Sequence, residues 1–96
     1  MILQDIPTII EKESILNLHF PAEDVLKSAL EKGNRMADLH RGLLLGNIHK
    51  GKVKLIFEDS ESVKQVETTI WALTDTRVVL KQGLGIPISR IHRVVT

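Results

Sequence analysis

The stretch "VKQVETTIWALT", Val63–Thr74, decides the fold. It alternates as a strand does. Val66, Thr68, Ile70 and Ala72 fall on one face, and Glu67, Thr69, Trp71 and Leu73 on the other. The run is long for a single strand, and apolar residues move onto both faces toward its end. A strand bent strongly enough to be shared by two sides of a small barrel has this pattern.

Strand signals continue on either side. In "KVKLIFED" (Lys52–Asp59), Val53, Leu55 and Phe57 point one way, and Lys52, Lys54 and Glu58 the other. The polar "EDSES" (Glu58–Ser62) reads as the hairpin turn between these two runs. Downstream, Asp75-Thr76 makes a short turn, and "RVVLK" (Arg77–Lys81) a third strand with Val78 and Leu80 on one face. "QGLG" turns the chain again, and "IPI" (Ile86–Ile88) is a short strand. Pro87 has no N–H to donate, so this strand belongs at an edge or a bulge. "SRI" suits a single 3₁₀ turn and "HRVV" (His92–Val95) a closing strand.

Before Asn47 the hydrophobic period is helical. "TIIE" (Thr8–Glu11) matches a capping box and predicts a first helix, although "ILNLHF" (Ile15–Phe20) also reads as a short strand. Pro21 ends either element. It also suits the first position of a second helix, with Glu23 and Asp24 at the positive end of the helix dipole. Val25, Leu26, Ala29 and Leu30 begin a buried stripe that continues through Met36, Ala37, His40, Leu43 and Leu44. Gly33-Asn34 leaves two readings open, one long helix or two with a tight joint, and Gly46-Asn47 reads as the stop. The expectation is one α+β domain over residues 1–96. A mainly helical segment (1–47) precedes a small, strongly bent, five-stranded antiparallel barrel (48–96).

At 96 residues there is room for one hydrophobic core, and 43% hydrophobic content is enough to build it. The absence of cysteine removes disulfides, thiolate metal sites and cysteine nucleophiles together. The opening "MILQDIPTII" has no basic leader and meets an acid at Asp5, so it does not read as a signal peptide. No apolar run approaches the ~18 residues that span a bilayer. A soluble, cytoplasmic protein is expected, with no membrane partner. Net charge is +1, distributed unevenly: five basic and seven acidic residues up to Ile48, then eight basic and five acidic. That balance is less basic than most nucleic-acid-binding domains carry.

The strand order from Lys50 onward resembles the small barrels of the Sm and Src-homology-3 type. It is closest in layout to the barrel of the bacterial Rho-binding antiterminators, in which a helix also precedes the strands. The segment "VETTIWALTDTRVVLKQGLGIPISRIHRV" (Val66–Val94) is also similar to a group of short uncharacterised bacterial proteins. Those share its "VETT-W", "V-LK-G" and "IPI--RI" in the same order. The resemblance implies a fold; it carries no activity with it.

Catalytic chemistry finds little footing. Glu58, Asp59 and Glu61 share one turn and read as a solvated hairpin tip rather than an acid/base pair. No two histidines have metal-ligand spacing, and His40 on the apolar stripe reads as a partly buried, hydrogen-bonded side chain. Gly83-Leu84-Gly85 lacks the third glycine and following helix of a dinucleotide loop, and reads as a turn with positive φ. No serine sits in a nucleophile elbow. The chain therefore reads as non-enzymatic, with no catalytic residue, metal or cofactor.

Binding is the remaining class. Trp71, the only tryptophan, either anchors a partner from an outward face or caps one end of the barrel core; the expected bend favours the cap. Lys52 and Lys54 on the first strand and Arg90 and Arg93 near the last would meet where a barrel closes. These five residues form the candidate partner-binding site, and Lys50 and Lys81 belong to the same basic set. The helical stripe is longer than so small a barrel can cover, and its remainder would seal a dimer or seat a protein partner. A protein-interaction module is the first expectation, and an RNA- or single-stranded-DNA-binding barrel with a Lys/Arg patch is the second.

Overall fold

Strand β2 (Val53–Glu58) organises the β-structure in a computed structural model that describes residues 6–96. The reading of the opening segment that rests on Asp5 lies outside those residues. One helix and two sheets make an α+β fold. The first sheet has the order β1-β3-β2-β7, with β1 at Thr8–Ile9, β3 at Val63–Thr68 and β7 at Ile91–Val95. The second has the order β4-β5-β6, with β4 at Ile70–Leu73, β5 at Arg77–Leu80 and β6 at Gly85–Pro87.

Strands form where alternation places them, but the long run Val63–Thr74, expected as one bent strand, divides into two. β3 pairs with β2 in the first sheet, β4 pairs with β5 in the second, and only Thr69 separates them. The Lys81 N–H donates to the Thr69 carbonyl at 3.0 Å, which satisfies the backbone at the bend. Pro87 lies on an edge strand, where its missing N–H leaves no gap in the ladder. The alternation also sorts the faces. Val53, Leu55 and Phe57 of β2 are buried together with Val66, Ile70, Val78, Leu80 and Ile86. A large aliphatic side chain enclosed this fully contributes roughly 1.5–3 kcal/mol.

The N-terminal half departs from the helical expectation. Thr8 and Ile9 form no helix; they pair in parallel with Lys64 and Gln65 at the free edge of β3, and Ile10 N–H extends the ladder to Gln65 O. A six-residue 3₁₀ turn, Lys12–Asn17, then buries Ile15. Phe20 reaches the Phe57 ring at 6.0 Å between centroids. Pro21 starts no helix either. Helix α1 runs over Ala29–His49, opened by a capping box between Ser28 and Glu31 and uninterrupted at Gly33. It also passes Gly46 and stops at Lys50, whose left-handed backbone (φ 53) lets its N–H return to Gly46 O.

The expected stripe is met only in part: its Met36 and Leu43 pack against the core, but they are not the most buried positions of α1. The buried residues of α1 are Arg35, Leu39, Gly42 and Gly46. The glycines set the approach of helix to sheet. A methyl at Gly42 would meet Ile70 Cδ1 at 2.9 Å, and one at Gly46 would fall against the Ile70 carbonyl. Arg35 is admitted because its charge is answered there. Nη1 and Nη2 donate to the two Asp24 oxygens at 2.9 and 2.8 Å, and Nη1 also reaches Ile91 O at 3.1 Å. Leu30, Ala37, His40 and Leu44 consequently face outward. No helix among the described residues is long and apolar enough to cross a membrane.

Candidate binding surfaces

Trp71 is exposed, at 51% of its accessible area, and does not cap the core. Alternation puts it outside: Val66, Thr68 and Ile70 are buried, so Trp71 lies on the opposite, outer face. Ile70 pairs with Leu80 while Ala72 pairs with Val79, so Trp71 is the extra residue of β4. The bulge shows instead at Ala72, which shares the face of Ile70 in the sequence pattern but is exposed.

The structure separates the four cations expected beside that ring. Arg90 is buried and works as a tie: Nε donates to Glu58 O at 3.0 Å and Nη1 to Glu23 O at 2.7 Å. A guanidinium whose donors are taken up by backbone carbonyls is not displayed to a partner. Arg93 is exposed, but it borders a hollow with Glu31, Asn34 and Asp38, away from Trp71. Lys54 is exposed on the outer face of the first sheet, opposite Glu67 and Val95. Lys52 borders a hollow of about 300 Å³ with Lys12, Glu67 and Thr68. The cations that do flank Trp71 are Lys50 and Lys81, which line a hollow of about 430 Å³ with it, Asn47 and Thr69. Lys81 and Thr69 also border the Lys52 hollow, so the two depressions adjoin.

The tip of the acidic turn after β2 is exposed at Ser60, Glu61 and Ser62, but Asp59 is not part of that solvated tip. Asp59 is buried, and its Oδ1 accepts from Glu61 N–H and Ser62 N–H at 2.9 Å each. Its Oδ2 takes the Lys64 ammonium at 2.7 Å. Burial pushes the carboxyl up, but Lys64 and the two N–H groups outweigh it, and the pKa falls below the ordinary value. Asp59 is thus a turn-holding residue. No group of three or more metal-ligating side chains occurs among the described residues, and His40 is exposed rather than half-buried. Of the glycine turn, only Gly83 has positive φ (79); at Gly85 a side chain would instead strike the Arg77 guanidinium.

The second surface is the outer face of α1. Leu30, Leu44 and Ile48 are 74%, 57% and 66% exposed, and Val95 of β7 is also exposed. With Asn34, Ala37 and Arg41 they make a line from the first turn to the last. The spacing of this line is present in the sequence, but a helix taken to stop at Gly46 loses Ile48 from it. Leu44, Leu45, Ile48, Arg41 and Thr96 border a hollow of about 310 Å³ at its C-terminal end. Comparison with known proteins adds no relative: no family model, curated protein or solved structure matches the chain.

Proposed function

We propose that the chain is a non-enzymatic binding module that acts through protein–protein contact, with the outer face of α1 as its docking surface. One observation carries this reading: a 21-residue helix presents large aliphatic side chains on the side turned away from its own core. Solvated helices place charged residues there, and an aligned apolar row is the ordinary signature of a face that another protein covers. The β-structure serves as the rigid support. Its bent β3–β4 run, shared by both sheets, supports placing it with the small barrels of the Sm and Src-homology-3 type.

The test is comparative capture from the source cell's lysate, by the intact chain and by a Leu44→Glu, Ile48→Glu variant. Both positions are exposed, so the fold should persist in circular dichroism. A protein, including a second copy, that is retained by the parent chain and lost from the variant supports the reading. Equal retention by both counts against it.

A second reading rests on Trp71. An exposed indole between Lys50 and Lys81 suits a stacked base with phosphates on either side, as in single-stranded RNA or DNA. Because Trp71 is the only tryptophan, its fluorescence reports on this site alone. Quenching by a mixed-sequence oligonucleotide at low salt that disappears as salt rises supports it. An unchanged spectrum at low salt removes it.

A further inference from the structure

We infer that the partner of this face is a second copy of the chain, whose α1 packs antiparallel against the first. This deepens the protein-contact reading and rests on it. Leu30, Asn34, Ala37, Arg41, Leu44 and Ile48 are all exposed and follow one another at alternating intervals of four and three residues. That alternation is the seam of two helices wound together. It lies on the side of α1 roughly opposite the buried line of Arg35, Leu39, Gly42 and Gly46.

The seam also matches itself when reversed. In antiparallel pairing Leu30 lies level with Ile48 of the second copy, Asn34 with Leu44, and Ala37 with Arg41, so the large aliphatic residues meet at both ends and the small Ala37 meets the long Arg41. The small Ala37 leaves room for the Arg41 stem. Arg41 already bonds Asp38 within its own chain. In this arrangement it also lies beside Asp38 of the second copy, so two Arg41 and two Asp38 alternate around the two-fold axis. A parallel pair would instead set Arg41 against Arg41 at the middle of the seam, which like charge opposes. At the ends, Leu30 falls at the hollow bordered by Leu44, Leu45 and Ile48 of the other copy. The paired length from Leu30 to Ile48 is about 27 Å.

The absence of cysteine makes the register directly testable. Sedimentation of the full chain near ~100 µM should show a dimer, with Leu44→Glu raising its dissociation constant roughly tenfold or more. Ile48→Glu, also at an exposed position and level with Leu30 of the second copy, serves if that variant does not fold. When Leu30→Cys and Ile48→Cys chains are mixed in a thiol-exchange buffer, disulfides between the two variants should exceed those within either one. Dominance of same-variant disulfides overturns the antiparallel pairing. A chain that stays monomeric, but loses a different captured protein on Leu44→Glu, overturns self-pairing and leaves the protein-contact reading standing. A monomer for which Leu44→Glu changes nothing overturns both.

Discussion

Arg35 grips Asp24 through both terminal nitrogens, Nη1 to Oδ1 at 2.9 Å and Nη2 to Oδ2 at 2.8 Å, and joins three parts of the chain by doing so. The helix supplies the cation, the segment before it the carboxylate, and β7 a third acceptor at Ile91 O. Arg90 holds the same segment one residue earlier, through Glu23 O. Asp24 secures its own turn by accepting from Leu26 N–H at 2.8 Å. The region between Pro21 and Ser28 is thus ordered by two buried arginines rather than by helix formation.

Removing the cation should therefore be expensive. Arg35→Ala leaves a partly enclosed carboxylate and an unfilled space, and is expected to lower stability by about 3 kcal/mol. Asp24→Asn keeps the shape and one hydrogen bond, and should cost less. Urea unfolding of the two variants gives the comparison, and an Arg35→Ala chain as stable as the parent contradicts the role assigned to the pair.

Acid should act through the same contact. Arg35 holds the Asp24 carboxyl down from its ordinary 3.8 to about 2. The folded chain binds that proton less tightly than the unfolded one, so the pair's contribution is complete above pH 3.8 and is lost as pH falls toward about 2. Asp59, also depressed, adds to the loss in the same direction. Thermal unfolding measured across that window should show a shallower fall for Asp24→Asn than for the parent. Equal slopes contradict the linkage.

Two glycines of one helix should respond oppositely to alanine. Nothing lies within 4 Å of a methyl placed at Gly33, so Gly33→Ala should stabilise by about 1 kcal/mol, a rise of about 4–8 °C in Tm. At Gly46 the methyl meets the Ile70 carbonyl, and Gly46→Ala should destabilise by about 2 kcal/mol as the helix is forced from β4. Calorimetry that finds the same sign for both variants contradicts the close approach.

Lys50 combines a backbone cost with a position beside Trp71. Its φ of 53 is a conformation that glycine adopts freely, so Lys50→Gly should stabilise by about 1 kcal/mol. If the Trp71 hollow binds nucleic acid, the same variant should bind more weakly and with a shallower salt dependence. A stabilised chain with undiminished oligonucleotide quenching of Trp71 removes Lys50 from any such site.

The β-half was legible because each strand announces its buried face by alternation, and because Gly83 and Pro87 fit only particular backbone places. The helical half was less so, for reasons that are local. "TIIE" and "SALE" (Ser28–Glu31) both match a capping box, and only the second is followed by a long helix; the first lies against an open strand edge that recruits Thr8 and Ile9. Helical periodicity located an aliphatic stripe but not which side is buried. Two glycines took that place because they allow α1 to approach β4 more closely than leucines would, and Arg35 joined them because Asp24 pairs its charge. Trp71 was misplaced because the expected bend was given more weight than the alternation, which puts it opposite the buried Ile70. The candidate cations were scattered for a simpler reason: Arg90 found carbonyl partners, and proximity across a sheet does not follow from charge.

The central claim is that the outer face of α1 pairs with the same face of a second copy. Amide chemical shifts recorded as the chain is concentrated from about 10 µM to about 1 mM test it most directly, because they cover the whole range of weak self-association. The account predicts shifts along Leu30, Ala37, Arg41, Leu44 and Ile48 and at neighbouring Val95, with Trp71 and Lys81 unmoved. Changes centred on Trp71 and Lys81, with α1 silent, would contradict it.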